Sequence, residues 1–448
     1  MSKSADQRKY RTGELDLLYS EMPVWIVIGP IAPTDQADMA NAFDAIARGG
    51  PKNRVGLLTS RSERHWRFVA RPGSTAVRSA CPVVCRNAEE ALVTAMTVRP
   101  DAPLAAWRCG EYLCLFYDHG LGDGRFIQRV LATLSDPAAV ASFDAPGTTY
   151  TRHPFAVALW AGLRREPGQL VRDLLHMGSS LDAWLRGHAQ AAVSRRARTT
   201  AGQPPAVAQA AEDEPTTACF SSAPTYLEEL RRHRDAHHPG VSTTALVMYS
   251  ICKSMASLGA NLSGNIEILS DLRRFLPEGS ETLANFVATV AVPFSARTTP
   301  EDFGAALTRE VTSYRSVLKL IAVQMVSTLR PSLWRPRRTC GDWVAASDDR
   351  STQVTITDFT RFPADAQIRW SDSSRSEVAV STPPYSRRHL VIVLCSSGDN
   401  RLQLTVRFHE SHIDRPAVRR MIEHALSPAR FRILDDASLL EPSERAAN

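Results

Sequence analysis

The feature that most restricts the fold of this chain is an apolar segment followed at once by a glycine-rich turn and an amphipathic helix. Glu111 to Asp118 is mostly apolar and indicates a buried strand. The turn reads His119-Gly120-Leu121-Gly122-Asp123-Gly124, and the next residues, Arg125 to Leu134, carry apolar side chains at helical spacing. A strand, a tight turn and a helix in this order favour an α/β fold.

Similar patterns recur along the chain and predict further helices and strands. The predicted helices are Thr34 to Arg48, Tyr226 to Arg234, Ser242 to Ser257 and Pro416 to Leu426. The predicted strands are Val55 to Leu58, His65 to Ala70, Ile266 to Leu269, Val287 to Phe294, Val354 to Ile356, Leu390 to Cys395 and Leu402 to Phe408. Two hairpins are expected, one between the first two of these strands and one across Ser397 to Asn400.

The length of 448 residues exceeds the size at which one hydrophobic core keeps growing, so two lobes are expected. Between Ala189 and Thr216 the sequence lacks aromatic residues and is rich in Ala, Arg, Gln, Pro and Thr, as linkers are. The predicted division is a first lobe over residues 1–188, a linker over 189–216 and a second lobe over 217–448.

Composition excludes several classes of protein. Hydrophobic residues make up 44% and charged residues 22%, as in ordinary folded domains. Apolar stretches are far shorter than the roughly 20 residues of a membrane-spanning helix, and the polar N-terminus lacks a secretory signal. A cytoplasmic location is therefore expected. The 53 basic and 47 acidic residues are interspersed, which argues against nucleic acid as a partner.

The eight cysteines lie mainly in apolar runs, so reduced thiols are expected. Cys81 and Cys85 lack a second Cys or His pair nearby, and a metal site is not predicted. Two basic clusters remain open to either solvated loop charge or the docking of an anionic partner. They are Arg195, Arg196 and Arg198, and then Arg330, Arg335, Arg337 and Arg338 around Trp334.

His119 stands where a strand meets a glycine-rich turn, which can aim an imidazole into a cleft as a general base. A hydrogen-bonded core histidine is the alternative for any single His. Asp123 could act only as the N-cap of the following helix. A dinucleotide fingerprint fails because Arg125 stands where Gly is needed, and neither a phosphate-binding loop nor a serine-hydrolase motif occurs.

The segment Asp118 to Gly124 resembles the His-His-x-x-x-Asp-Gly signature of CoA-dependent acyltransferases and nonribosomal-peptide condensation domains. Ser270 to Pro277 and Leu283 to Val287 are similar to the Asp-Leu-Arg and Gly-Asn-Phe elements of the bacterial wax ester synthase and polyketide-associated acyltransferase branches. Val354 to Phe359 is similar in position to a strand near the acyl channel, although its residues match poorly. Asp118 replaces the first His of the signature and Ala284 replaces a Gly, and the plant-type Asp-Phe-Gly-Trp-Gly is absent.

The resemblance implies two chloramphenicol-acetyltransferase-like lobes in a V with a tunnel between them. It implies His119 as the catalytic base, Asp123 paired with Arg273 of the second lobe, and Gly124 close to the reacting centre. Asp118, Asn285, Thr357 and Asp358 are the candidate channel residues. Arg335, Arg337 and Arg338 are the candidate donor docking site, because their positive charge suits CoA phosphates or an acidic carrier protein. Because neighbours on a strand face opposite ways, Asp118 is not expected to orient His119 directly.

The expected function is acyl transfer from a CoA or carrier-protein thioester to a hydroxyl or amine of a small molecule. CoA or phosphopantetheine is then a co-substrate, with no permanently bound cofactor, no metal and a monomeric enzyme. Two alternatives remain open: a free-standing condensation enzyme that forms an amide between carrier-bound substrates, and a catalytically silent docking module of the same fold.

Overall fold

The computed structural model describes residues 9–136, 140, 143, 149–151, 153–176, 214–329, 351–360, 368–399 and 401–431. Its labelled helices are α1 Glu14–Tyr19, α2 Gln36–Arg48, α3 Gly73–Ala76, α4 Ala88–Met96, α5 Gly124–Ser135, α6 Pro154–Arg165, α7 Tyr226–His237, α8 Thr243–Ser257, α9 Pro300–Thr312, α10 Arg315–Leu329 and α11 Arg415–Ala425. Residues 167–176 are also helical. Most of the predicted linker, residues 189–213, lies outside the described residues, as does the basic cluster around Trp334.

The strands are short and are distributed over both halves of the chain. They are β1 Lys9–Arg11, β2 Pro23–Gly29, β3 Leu57–Leu58, β4 His65–Phe68, β5 Leu104–Cys109, β6 Tyr112–Asp118, β7 Thr149–Tyr150, β8 Thr216–Ser221, β9 Asn265–Asp271, β10 Ser280–Glu281, β11 Val287–Pro293, β12 Gln353–Phe359, β13 Glu377–Ser381, β14 His389–Ser396 and β15 Leu402–Phe408.

The largest sheet has six strands in the order β11-β9-β12-β14-β15-β8, all from the second half of the chain. Strand β12 runs parallel to both of its neighbours, and the other pairs are antiparallel. One face of this sheet packs against α8 and α11 around apolar residues such as Met248, Ile392 and Ile422. This packing forms the core of the second half.

A four-stranded antiparallel sheet, β13-β2-β6-β5, organises the first half. Its edge strand β13 comes from the second half and pairs with β2, so Val380 lies opposite Ile26. A second link joins the halves where β7 pairs in parallel with β10. The two halves therefore share strands, and residues such as Val391 and Val393 of β14 pack into the first-half core.

The strand and the helix predicted on either side of the glycine-rich turn are both present. The strand predicted over Glu111 to Asp118 is β6, and the helix predicted after the turn is α5, which buries Phe126, Ile127 and Val130. Both expected hairpins are present, as β3 with β4 and β14 with β15. Among the described residues, no helix combines the length and apolar character needed to cross a bilayer.

Candidate active site

The turn after β6 places His119 at the start of a short 3-10 helix, His119–Leu121. Strand β6 lies between β2 and β5, so the turn leaves from the middle of the first-half sheet. Two hydrogen bonds fix the backbone of His119. Its N–H donates to the carbonyl of Met22 at 2.8 Å, and its carbonyl accepts from Nδ2 of Asn285 at 2.8 Å. The position of the imidazole is thus set by residues from both halves.

The imidazole of His119 is half-buried and lies between two tyrosine rings. Its ring centroid is 4.7 Å from that of Tyr19, with the planes 22° apart, and 5.9 Å from that of Tyr117. Nδ1 is buried and has no partner with hydrogen-bond geometry within the described part of the chain. Burial lowers the pKa of His119 below its ordinary value, and its own backbone, Asp123 and Asn285 oppose that shift only in part. The neutral imidazole is therefore favoured at neutral pH.

Asp123 does more than cap a helix. One carboxylate oxygen accepts the N–H of Arg125 at 3.1 Å, which is the predicted N-cap bond of α5. The carboxylate also forms a two-pronged ion pair with Arg273, at 2.9 Å and 3.0 Å, and accepts the N–H of Phe286 at 2.9 Å. The ion pair that the resemblance implied is present, and it joins the two halves beside His119.

Arg273 is held by a dense set of acceptors. Its side chain is 8% exposed and contacts Asp271 at 3.1 Å and Glu281 at 2.7 Å as well as Asp123. The carbonyls of Thr282 and Ala284 accept further hydrogen bonds from it. Burial opposes the charge of Arg273, but the surrounding carboxylates, led by Asp123, raise the pKa above its ordinary value. The guanidinium is charged and fixed.

A second buried arginine supports the same turn from the other side. Arg54 is 1% exposed, forms an ion pair with Asp16 at 2.8 Å and donates to the hydroxyl of Tyr10 at 3.0 Å. It also donates to the carbonyls of Gly120, at 3.0 Å, and of Leu121. Arg54 adopts a left-handed backbone conformation with φ 66°, which non-glycine residues rarely do. The turn is thereby tied to α1 within the first half.

Asp118, the residue that replaces the first His of the signature, caps the turn. Its carboxylate accepts hydrogen bonds from the N–H of Gly120 at 2.8 Å, the N–H of Glu21 at 2.9 Å and the hydroxyl of Thr59 at 2.5 Å. Burial raises the pKa of Asp118, and these hydrogen bonds oppose the shift. As expected, no hydrogen bond joins Asp118 to His119 in the described structure; the carboxylate shapes the turn instead.

His119 lines a cavity of about 850 Å³ whose walls come from both halves. Thr357 and Asp358 of β12, two of the candidate channel residues, line it. Asp118 and Asn285, which are 7% and 2% exposed, are not among the residues that line it. The ring of Phe359 packs so closely on Gly124 that a Cβ there would overlap it. Arg335, Arg337 and Arg338 lie outside the described residues.

The donors around the cavity are arginines, a histidine and hydroxyls. In the described ranges, no group of three or more His, Cys, Asp or Glu side chains is placed to hold a metal ion. Three contacts near His119 were not predicted from the sequence. They are the ion pair of Arg54 with Asp16, the hydrogen bond of Thr59 to Asp118, and the stacking of Tyr19 on His119. An arginine in a loop that also contains Gly49 and Gly50 carries no local signal of burial.

No protein family model matches the chain, and no curated protein sequence matches it. Among solved structures it is similar to the first condensation domain of the CDA synthetase, with a TM-score of 0.55 and 12% identity over 98% of both chains. It is similar to TRI3 trichothecene 15-O-acetyltransferase from Fusarium sporotrichioides, with a TM-score of 0.55 and 12% identity over 97% of both.

A third similar structure is the EpoB cyclization-docking bidomain of a nonribosomal peptide synthetase from Sorangium cellulosum. Its TM-score is 0.54, with 13% identity over 96% of this chain and 85% of that one. Identities this low establish the fold and leave activity to be argued from the site. The chain has the chloramphenicol-acetyltransferase-like fold of condensation domains and acyltransferases, which confirms the α/β fold expected from the resemblance.

Proposed function

We propose that this protein is an acyltransferase in which His119 is the general base. It moves an acyl group from a CoA or carrier-protein thioester to a hydroxyl or amine of a small molecule. The observation that carries the proposal is a half-buried histidine with a lowered pKa, fixed by a braced turn, on the wall of a cavity lined by both halves. We divide the chain into lobes over residues 1–188 and 217–448 and expect them to form a V.

The geometry of His119 suits base catalysis. Since Nδ1 is buried, Nε2 is the ring nitrogen that a substrate in the cavity can reach. A neutral Nε2 removes the proton of the acceptor hydroxyl or amine as that atom attacks the thioester carbonyl carbon. The carbon–sulfur bond of the tetrahedral intermediate then breaks, and the imidazolium returns the proton to the departing thiolate. The reaction needs neither a metal nor a covalent acyl-enzyme.

The residues around His119 have positioning roles in this proposal. Asp123 points into its ion pair with Arg273 and therefore does not compete for the substrate. Asn285 holds the carbonyl of His119, and Asp118 holds the start of the turn. Gly124 admits Phe359 against the turn, which places an aromatic ring on the cavity wall. A general base must lie within hydrogen-bond reach of the proton it removes, so these contacts serve the reaction by keeping His119 in position.

A second candidate is a free-standing condensation enzyme that forms an amide between carrier-bound substrates. It is favoured by the similarity to a condensation domain over nearly the whole of both chains. A catalytically silent docking module is less favoured, because the motif histidine is retained in a cavity.

Mass spectrometry of products tests the proposal. Purified protein is incubated with a panel of acyl-CoA and N-acetylcysteamine thioesters together with candidate alcohols and amines. The expected result is an ester or amide that forms with wild type and is lost with His119→Ala. Equal products from both proteins would refute the role of His119, and no product from any thioester would refute acyl transfer as the function. The bond in the product separates the two candidates.

A further inference from the structure

Four cysteines lie together on the face of the first-half sheet that packs against α4. They are Cys81 and Cys85, in the loop before α4, and Cys109 and Cys114, at the end of β5 and within β6. We refer to these four residues as the thiol cluster. All four are free thiols in the structure, and none of them is among the residues that line the cavity of His119.

The backbone places Cys81 directly beside Cys109. The two residues are partners in a parallel β-bridge, and the N–H of Cys81 donates to the carbonyl of Arg108 at 2.7 Å. Paired residues of neighbouring strands lie about 4.8 Å apart, which is within the roughly 4.4–6.8 Å that separates the Cα atoms of disulfide-bonded cysteines. Both side chains pack into the same group of apolar residues. The pair can therefore be bridged without a large movement of the backbone.

The other two members of the thiol cluster are less well placed for a disulfide with Cys109. In the hairpin of β5 and β6, Cys109 lies opposite a residue two positions before Cys114, so the two cysteines are diagonal neighbours. Diagonal neighbours in a sheet lie about 7–8 Å apart, which is too far for an undistorted disulfide. The thiol of Cys85 contacts the hydroxyl of Thr94 in α4 at 3.9 Å. Cys81 is therefore the partner that the backbone favours.

The surroundings of this pair suit oxidation. Cys81 is partly exposed, whereas Cys109 is buried. The neighbouring thiols, led by that of Cys114, lower the pKa of Cys109 to about 6, although burial opposes the shift. The buried indole N–H of Trp107 also lowers this pKa, and it has no partner with hydrogen-bond geometry in the described part of the chain. An accessible sulfur thus lies next to one that readily becomes the nucleophilic thiolate.

We propose that Cys81 and Cys109 form a reversible disulfide in the presence of hydrogen peroxide, and that this bond stabilises the first half of the chain. The sulfur of Cys81 attacks the peroxide, the O–O bond breaks, and a sulfenic acid and water result. The thiolate of Cys109 then attacks the sulfur of the sulfenic acid, and the departing hydroxide takes up the proton that Cys109 released. Two thiols and one peroxide give one disulfide and two waters, and a small dithiol reverses the change.

The position of the pair explains why a disulfide there stabilises the protein. It ties the loop before α4 to β5 and closes a loop of chain that contains the whole of α4. Cross-linking such a loop restricts the unfolded chain. Helix α4 also contacts the second half, because Glu89 accepts the N–H of Cys219 at 2.9 Å. The oxidised protein should therefore unfold at a higher temperature than the reduced protein, whatever reaction His119 catalyses.

Peptide mass spectrometry after oxidation tests the proposal. The full-length protein is treated with hydrogen peroxide, alkylated and digested with trypsin, and it is compared with protein reduced by dithiothreitol. Trypsin cleaves after arginine, so Cys81 and Cys85 share the peptide 79–86, and Cys109 and Cys114 share the peptide 109–125. The expected product is a cross-link between these two peptides that dithiothreitol removes.

Each peptide also supplies a matched control, because it holds one cysteine of the proposed pair and one that is not. The cross-link should be lost in Cys81→Ser and in Cys109→Ala, and it should remain in Cys85→Ser and in Cys114→Ala. Oxidation should raise the unfolding temperature of wild type and of Cys85→Ser but not that of Cys81→Ser. Since Cys81 is partly exposed, its replacement by serine is expected to leave the reduced protein folded.

Three results would overturn the proposal. The first is oxidation without a cross-link between the two peptides, including a disulfide that forms within either peptide alone. The second is a cross-link that persists in Cys81→Ser, which would assign the bond to another member of the thiol cluster. The third is a cross-linked wild type that unfolds at no higher temperature than the reduced protein.

Discussion

Two buried arginines hold the turn that carries His119, and they do so differently. Arg54 belongs to the first half and donates to backbone carbonyls of the turn, at Gly120 and Leu121, while pairing with Asp16. Arg273 belongs to the second half and binds the side chain of Asp123. The first sets the shape of the turn, and the second sets its place relative to the other half. Under the proposed function, catalysis in a cavity lined by both halves needs both contacts.

The surroundings of the two arginines differ as well. Arg273 lies among the carboxylates of Asp123, Asp271 and Glu281, whereas the ion pair of Arg54 is with Asp16. Removal of Arg273 therefore leaves several acidic groups close together near His119. Removal of Arg54 leaves Asp16 without its ion-pair partner and the carbonyls of Gly120 and Leu121 without the donor that Arg54 supplies. The contact between the halves thus balances most of the negative charge beside His119, and the contact within the first half holds the backbone of the turn.

The largest effect on stability is expected from Arg273→Ala. Breaking a buried ion pair by removing one partner typically costs about 3–5 kcal/mol, and here further acids lose the same partner. Denaturant unfolding should show this decrease in the free energy of unfolding, together with a lower turnover number. Arg274→Ala, which removes the exposed neighbouring arginine, is the control and should unfold nearly as wild type does. A loss below about 1 kcal/mol for Arg273→Ala would mean that the inter-half pair is dispensable.

A smaller loss is expected from Arg54→Ala, at about 3 kcal/mol, because a single carboxylate loses its ion-pair partner. Turnover should fall while the KM for the thioester changes little, since the turn carbonyls are displaced and the rest of the cavity is not. Steady-state kinetics with the substrates found by product analysis would measure both parameters. A raised KM with unchanged turnover would contradict the assignment of Arg54 to the geometry of the turn.

The smallest expected effect is on the pH dependence of kcat/KM, which should differ between Arg273→Ala and Arg54→Ala. In the proposed mechanism the base is neutral His119, and burial lowers its pKa, so wild-type kcat/KM should stay level at neutral pH and fall only at pH values below the ordinary pKa of histidine. Without Arg273 the carboxylate of Asp123 loses its ion-pair partner and raises the pKa of His119 further. The acid limb should therefore move to higher pH in Arg273→Ala. In Arg54→Ala it should move less, because Arg54 interacts with the charge of Asp123 but forms its ion pair with Asp16. An equal shift in both variants would remove the distinction.

The strand, turn and helix around His119 were predictable because each depends on neighbouring residues. Apolar periodicity located β6 and α5, and a short acidic residue before a helix marked Asp123 as the N-cap. The pair of Asp123 with Arg273 joins residues 150 positions apart, and only the resemblance to known acyltransferases suggested it. Asp118 was predicted to lie in the channel, but its carboxylate instead accepts hydrogen bonds from Gly120 and Thr59. The contact with Thr59 joins distant residues, and no local pattern in the sequence encodes it.

The pairing of β13, from the second half, with β2 of the first half is another feature that the sequence did not reveal. Strand β13, Glu377–Ser381, has the length and composition of many short strands, and nothing local indicates that β2 is its neighbour. Pairing across such a separation is decided by the tertiary structure. The roles of Arg54, Asp16 and Tyr19 were missed for the same reason, since buried long-range contacts leave no periodic signal.

Under the proposed function, His119 removes the proton of the acceptor. The most direct measurement is the single-turnover rate of acyl transfer for wild type and His119→Ala at saturating substrates, with circular dichroism and thermal unfolding to establish that the variant is folded. A loss of at least about 10²-fold is expected, because general-base assistance typically contributes that much or more. A folded His119→Ala variant that transfers acyl groups at nearly the wild-type rate would contradict it.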